Sequence, residues 1–251
     1  MNSSVLTSLS AARAARRIAE GELSPVALLE AYLERIASTD PTIHAWVGVD
    51  EAGARATARE RFEEARAGRL RGPLHGVPVG IKDIFHVASM TTTCGGAPAF
   101  HIKATEDAAS VARLRAAGAV IVGKVHTTEF AYFEPAPTCN PWNHAHTPGG
   151  SSSGSAAAVA ARMVPLALGT QTVGSVLRPA AYCGVVGFKG THGLVPIDGV
   201  VPLAWSLDHV GIFAREVADV ALALGVLTAR PLASGATGAP RLALVPELLD
   251  R

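Results

Sequence analysis

Charge is scarce in this sequence. Asp, Glu, Lys and Arg make up 17% of its 251 residues, and 22 basic residues nearly cancel 21 acidic ones. With 49% hydrophobic residues and no run of like charge, the chain is excluded from the disordered class and is long enough to bury a full core. It has no basic cluster, so nucleic acid is not an expected partner. Cysteine is nearly absent. Cys94, Cys139 and Cys183 are odd in number, widely spaced and without a CxxC pair, which argues against a disulfide framework and for reduced thiols in a cytoplasmic protein. No apolar run reaches membrane-spanning length, and the N-terminus lacks the apolar core of a secretion signal. Residues 1–19 are Ser- and Arg-rich with no acid before Glu20, as in a transit peptide. Ala11, Ala15 and Ile18 nevertheless share one helical face that Gly21 closes, and the pattern runs without a cleavage-like break into a second helix, which favours the helix. No internal repeat is present.

Small residues, by contrast, are concentrated at two places: Gly149-Gly150-Ser151-Ser152-Ser153-Gly154-Ser155 and Gly169-Thr170-Gln171-Thr172-Val173-Gly174-Ser175. Each offers hydroxyls on backbone that only small residues allow into tight turns. An Ala-rich helical run and a short apolar strand join them, so both are expected to converge on one site. The rest of the chain supplies the frame. Ser24-Pro25 starts a helix that Asp40-Pro41 is expected to stop. Residues 45–49 read as a strand, 51–67 as a solvated helix ended by Gly68, and His75–Asp83 as an apolar strand carrying Lys82. A helix over 107–118, a buried strand over 119–122 and a short helix over 126–133 follow. Beyond the 135–149 loop and the central stretch come a strand at 185–188, a helix at 215–228 and a strand at Arg241–Val245. Alternating strands and helices predict an α/β fold with a mixed, mostly parallel sheet flanked by helices.

Lys82 admits two readings. In an apolar strand desolvation lowers its pKa and makes it a general base for a serine; alternatively it pairs with Asp83 at a strand end. Ser175 likewise either ends a turn whose N–H groups point at one anion, with a following helix adding its dipole, or is an ordinary helix N-cap. Gly150–Gly154 satisfies G-x-S-x-G with Ser152 as nucleophile, but that motif needs a preceding strand, and residues 143–148 read as a loop. No Gly-Lys-Ser/Thr follows the glycines, so a phosphate loop is not indicated. A flexible Gly/Ser linker is set aside because the cluster runs straight into the helical Ala156–Ala161. His144 and His146 lack a third ligand at metal-binding spacing and read as loop histidines; no metal or other cofactor is expected. Cys183, among apolar neighbours, reads as a small buried core residue rather than a nucleophile.

The two clusters, the 24-residue spacing of Ser151 and Ser175, and the upstream Gly76-Val77-Pro78-Val79-Gly80-Ile81-Lys82-Asp83 resemble the amidase signature family. The likeness extends to Asn140-Pro141-Trp142-Asn143, Cys183–Lys189 and Ser206–Gly211, and so over essentially the whole chain. It implies one amidase-signature domain over 1–251, with a helical segment at 1–70 and a catalytic α/β core from 71. It also implies a hydrolase of carboxylic amides working through a Ser–cisSer–Lys relay and an acyl-enzyme: Ser175 the nucleophile, Lys82 the base, and Ser151, after a cis peptide bond, the bridge. The N–H groups of Thr172, Val173, Gly174 and Ser175 would hold the oxyanion, with Ser152, Gln171 and Arg178 in support.

Three positions depart from the family's common pattern. Gln171 stands where Asp is frequent, Val173 where Gly is, and Leu177 where Arg is, with Arg178 one place on. Family members also continue well past a strand like that at 241–245, so the fold is expected to be C-terminally incomplete, with a sheet edge and apolar surface uncovered. The resemblance therefore implies a small-molecule amide as substrate and admits homo-oligomers. It leaves two alternatives to a free amidase: a component similar to the A subunit of a glutamine-dependent tRNA amidotransferase, or a catalytically incomplete fragment.

Overall fold

Short apolar runs bounded by glycine or proline form the strands of this protein, and longer runs with helical period form its helices. A computed structural model describes residues 2–230. Two short helices, α1 (Ser3–Ser8) and α2 (Ala11–Ala19), come first; Ser10 caps the second by accepting the Arg13 N–H. The next, α3 (Pro25–Ile43), begins at Ser24-Pro25 as expected but is not stopped at Asp40-Pro41. Pro41 forfeits its own N–H bond in the last turn, but the helix runs two residues further and ends at left-handed His44, whose N–H donates to Asp40 O. Then follow β1 (Trp46–Val49), α4 (Glu51–Arg66), β2 (Pro78–Lys82), a separate two-stranded ladder of β3 (Thr91–Thr92) and β4 (Ile102–Lys103), α5 (Ala109–Ala116) and β5 (Val120–Val125). The second half holds α6 (Ser153–Ala160), β6 (Leu166–Gln171), α7 (Leu177–Cys183), β7 (Val186–Lys189), β8 (His209–Ala214) and α8 (Val217–Thr228).

The helix expected over 126–133 shrinks to one 3-10 turn, Glu129–Ala131, with positive φ at Phe130 and Ala131. Its backbone bonds go elsewhere: Phe130 N–H donates to Cys94 O, and the Thr128 hydroxyl donates to Tyr132 O. The strand expected at Arg241–Val245 lies outside the described residues.

The main sheet has the order β1-β5-β2-β6-β8-β7. It is mixed, as expected, but parallel pairing is confined to the centre, where β2 lies between β5 and β6; β1, β8 and β7 pair antiparallel. Parallel neighbours require crossovers, which α5 and α6 supply. The helix-free segment 190–208 joins β7 to β8 instead, and those two pair as antiparallel neighbours. Both faces are covered. Val79, Ile81, Leu168 and Ile212 pack toward α5 and α8, while Val122, Ala167 and Phe213 pack toward α6 and α3. That double burial is why the central strands are continuous apolar runs rather than alternating ones.

Candidate active site

The parallel strands β2 and β6 lie side by side, with Ile81 opposite Leu168, so their C-terminal ends adjoin. Crevices outside the carboxyl ends of such strands are where open α/β sheets bind ligands. β2 ends here on Lys82, and β6 on Thr170 and Gln171. The first small-residue cluster arrives on α6, whose first turn packs directly on backbone. A Cβ at Gly154 would stand 2.3 Å from Ala45 O, and one at Gly169 would stand 2.7 Å from Ser152 Oγ. Glycine at these two positions lets the serine loop settle on the strand ends.

Lys82 is fully buried, and its Nζ lies 2.7 Å from Ser151 Oγ and 2.8 Å from Thr170 Oγ1. Burial pushes its pKa well below the ordinary lysine value, and the Asp208 carboxylate offsets this only in part. The pairing with Asp83 does not form. Asp83 instead meets Lys124 Nζ at 2.6 Å, and its other oxygen accepts the N–H and the hydroxyl of Thr93. Asp83 and Lys124 are themselves buried, so the adjacent charges at this strand end are satisfied by each other.

The Gly150–Ser151 peptide bond is cis. Arg178 holds its carbonyl side: Nε and Nη2 donate to Gly150 O at 3.1 and 2.8 Å. Ser152 is buried with Oγ 3.1 Å from Thr170 O, on the strand rather than in the crevice. Ser175 is 8% exposed in the turn between β6 and α7. Among the described residues no hydrogen bond joins its hydroxyl to that of Ser151; the two segments meet through Ser152 N–H and Ser175 O at 3.4 Å.

Ser175 does not cap α7. Gln171 does, its Oε1 accepting from Val176 N and Leu177 N at 2.8 and 2.9 Å. A neutral amide at this position suffices, because the groups it satisfies are N–H donors. Val173 turns its side chain outward, 88% exposed, and so does not crowd the turn formed by Thr172, Val173, Gly174 and Ser175.

Two residues at this site carry contacts that sequence reasoning did not assign. Thr170 receives Lys82, and Asp208 accepts from the Thr172 hydroxyl as well as from Leu203 N and Ala204 N at 2.8 and 2.9 Å. Asp208 sits in the Ser206–Gly211 motif, which was the available signal; Thr170 had none beyond its place in the second cluster. Beside Gly149 and Gly150 a cavity of about 340 Å³ is walled by Tyr132, Phe133, Tyr182 and Arg178. His144 and His146 are exposed loop residues, and among the described residues no His/Cys/Asp/Glu group is arranged to hold a metal. Cys183 is buried, and burial pushes its thiol up to about 12, far from a nucleophile's range.

A sequence model described as Amidase matches residues 27–236. The chain belongs to the amidase family. Among curated amidase relatives, the glutamyl-tRNA(Gln) amidotransferase A subunit from Roseiflexus castenholzii is 46% identical over 228 residues, 88% of this chain and 46% of that protein. The protein of the same name from Symbiobacterium thermophilum is 45% identical over 240 residues, 93% of this chain and 49% of that one. The chain thus spans about half the length of the curated relatives it matches. Among solved amidase structures, the peptide amidase from Stenotrophomonas maltophilia superposes with a TM-score of 0.82 at 39% identity, covering 91% of this chain and 51% of that one. Fatty acid amide hydrolase gives 0.81 at 26% identity, covering 88% and 41%. Among the described residues no helix is long and apolar enough to cross a membrane.

Proposed function

We propose that this chain hydrolyses a carboxylic amide through Ser175, Ser151 and Lys82. The observation that carries the reading is the buried Lys82 amine at hydrogen-bond distance from two hydroxyls, with no carboxylate bonded to it among the described residues. A neutral amine has two N–H donors and one lone pair. Donation to Thr170 leaves the lone pair free to accept from Ser151, which in turn accepts from Ser175 as the nucleophile attacks. The relay closes when the Ser175 hydroxyl turns onto Ser151, a contact that tightens in complexes of this kind once substrate is bound. N–H groups of the 172–175 turn receive the charge that develops on the carbonyl oxygen. Ser151 then delivers the proton to the leaving amine, and water, activated by the same pair, releases the acid. Gln171 keeps the turn in place from beneath and Arg178 steadies the bridging loop.

Serine-directed labelling with a fluorophosphonate, followed by peptide mapping, tests the assignment. Label is expected on Ser175 and lost in Ser175→Ala, while Ser152→Ala keeps part of it. Label on Ser152 would instead identify a nucleophile elbow, and a folded chain that takes no label is catalytically incomplete. The relatives named above favour a second reading, in which the amide is glutamine and the ammonia released serves an amidotransferase. Glutaminase activity that appears only with partner subunits added would select it.

A further inference from the structure

We propose that Asp208 is a positioning residue for the reaction, acting through the Thr172 hydroxyl to hold the 172–175 turn in the geometry that receives the oxyanion. The inference rests on the reading above. Asp208 is 6% exposed, and among the described residues its carboxylate bonds to two segments, the 172–175 turn and residues 203–204. One carboxylate oxygen accepts from Thr172 Oγ1, the first residue of the turn; the other accepts from Leu203 and Ala204 N–H in the loop before β8. The backbone extends the same tie, since Asp208 N–H and Leu207 N–H both donate to Ala204 O at 2.9 and 2.8 Å. The carboxylate therefore joins two separate loops, and the turn has tethers at both ends: Thr172 on Asp208, and Val176 and Leu177 on Gln171.

A turn without such tethers loses part of its preorganisation, and preorganised donors are where most of the stabilisation of a developing oxyanion resides. The turn needs them, because a Cβ at Gly174 would meet only Arg178 Cβ, at 3.9 Å, and the Val173 side chain is solvated, so side-chain packing does little to hold the backbone in place. Asp208 has a second consequence for the same site, since its charge raises the affinity of the Lys82 amine for a proton. The neighbouring acid, Asp83, is occupied by Lys124 on β5.

Two substitutions separate the roles. Thr172→Val cuts the tether and leaves the charge; Asp208→Asn keeps the shape, can still bond the Thr172 hydroxyl with the polarity reversed, and removes the charge. The readout is the rate of fluorophosphonate labelling at Ser175, resolved into probe affinity and maximal rate across pH. Thr172→Val is expected to lower the maximal rate at least about tenfold, with probe affinity and the pH of half-maximal rate unchanged. Thr172→Ser should restore the rate. Asp208→Asn is expected to move the rising limb of the pH profile toward lower pH, because a less basic Lys82 becomes neutral earlier. Unchanged labelling in Thr172→Val overturns the proposal while leaving the nucleophile assignment intact, as does a loss that Thr172→Ser does not restore. A wild-type chain that is folded yet unlabelled at Ser175 overturns both.

Discussion

A lysine sealed from water between two hydroxyls holds its proton weakly, and the same burial that suits Lys82 to the base proposed above makes it a liability to the fold. In the unfolded chain its amine titrates near 10.4, whereas the folded chain depresses it. Wherever the unfolded state binds more protons, stability rises with pH. The native state therefore carries the full penalty below its own depressed pKa and sheds it progressively as pH climbs to the unfolded value. Lys82→Met, which cannot be charged, is expected to be more stable than the native sequence at neutral pH. The gap should narrow by at most about 1.4 kcal/mol per pH unit as pH rises to about 10. Denaturant unfolding of both proteins over that range measures it, and a gap that stays constant with pH would show that Lys82 is not desolvated. Lys82 and the two serine clusters were legible because glycine, serine and a lone cation in apolar sequence are rare together. Thr170, 88 residues from Lys82 along the chain, was not. Its role depends on which strands lie side by side, and local patterning does not encode that.

An element with few internal bonds depends on what lies at its ends, and α7 has seven residues. Its first N–H groups are satisfied by a side chain from β6 rather than by a residue of its own turn. Gln171→Ala leaves two donors unpaired, one of them on buried Val176, and is expected to cost about 1–3 kcal/mol in a denaturant titration. Gln171→Glu keeps the acceptor and should recover most of that loss, which a simple packing role for the side chain would not predict. The start of α3 and the ends of α2 and α4 were readable from their caps and glycines, since those signals are local. Others were not, and two of them show why. In α1, serines and β-branched residues are weak helix formers, and the helix exists because Leu6 packs with Leu28 and Tyr32. The strand β8 is reached from its partner β7 by the helix-free segment 190–208, so no helical pattern before it announces a new strand. That connection is also why parallel pairing stops at the sheet centre.

At the scale of the whole molecule, the described residues bury both sheet faces yet leave large apolar side chains in water near the crevice. Tyr132, Phe133 and Tyr182 border one cavity, and Trp142 reaches the neighbouring Cys183 carbonyl through its indole N–H at 2.7 Å. Phe133 and Trp142 are 76% and 74% exposed. Scattered single apolar residues are ordinary, but four rings in one neighbourhood are the kind of surface that other protein or ligand covers. Relatives about twice this length have further chain available for such a purpose, and this chain, alone in solution, has its own copies. The expected behaviour is therefore association that increases with concentration, seen by light scattering together with binding of an apolar dye. Phe133→Ser with Trp142→Ser should reduce both at a stability cost confined to the lost indole bond to Cys183 O, since neither side chain belongs to the core clusters. If the double variant associates as strongly as the parent, the contact lies elsewhere, and β7, last in the sheet among the described residues, becomes the next surface to block. If association stops and Ser175 still takes label, the aromatic wall is dispensable for the chemistry and serves only what docks against it.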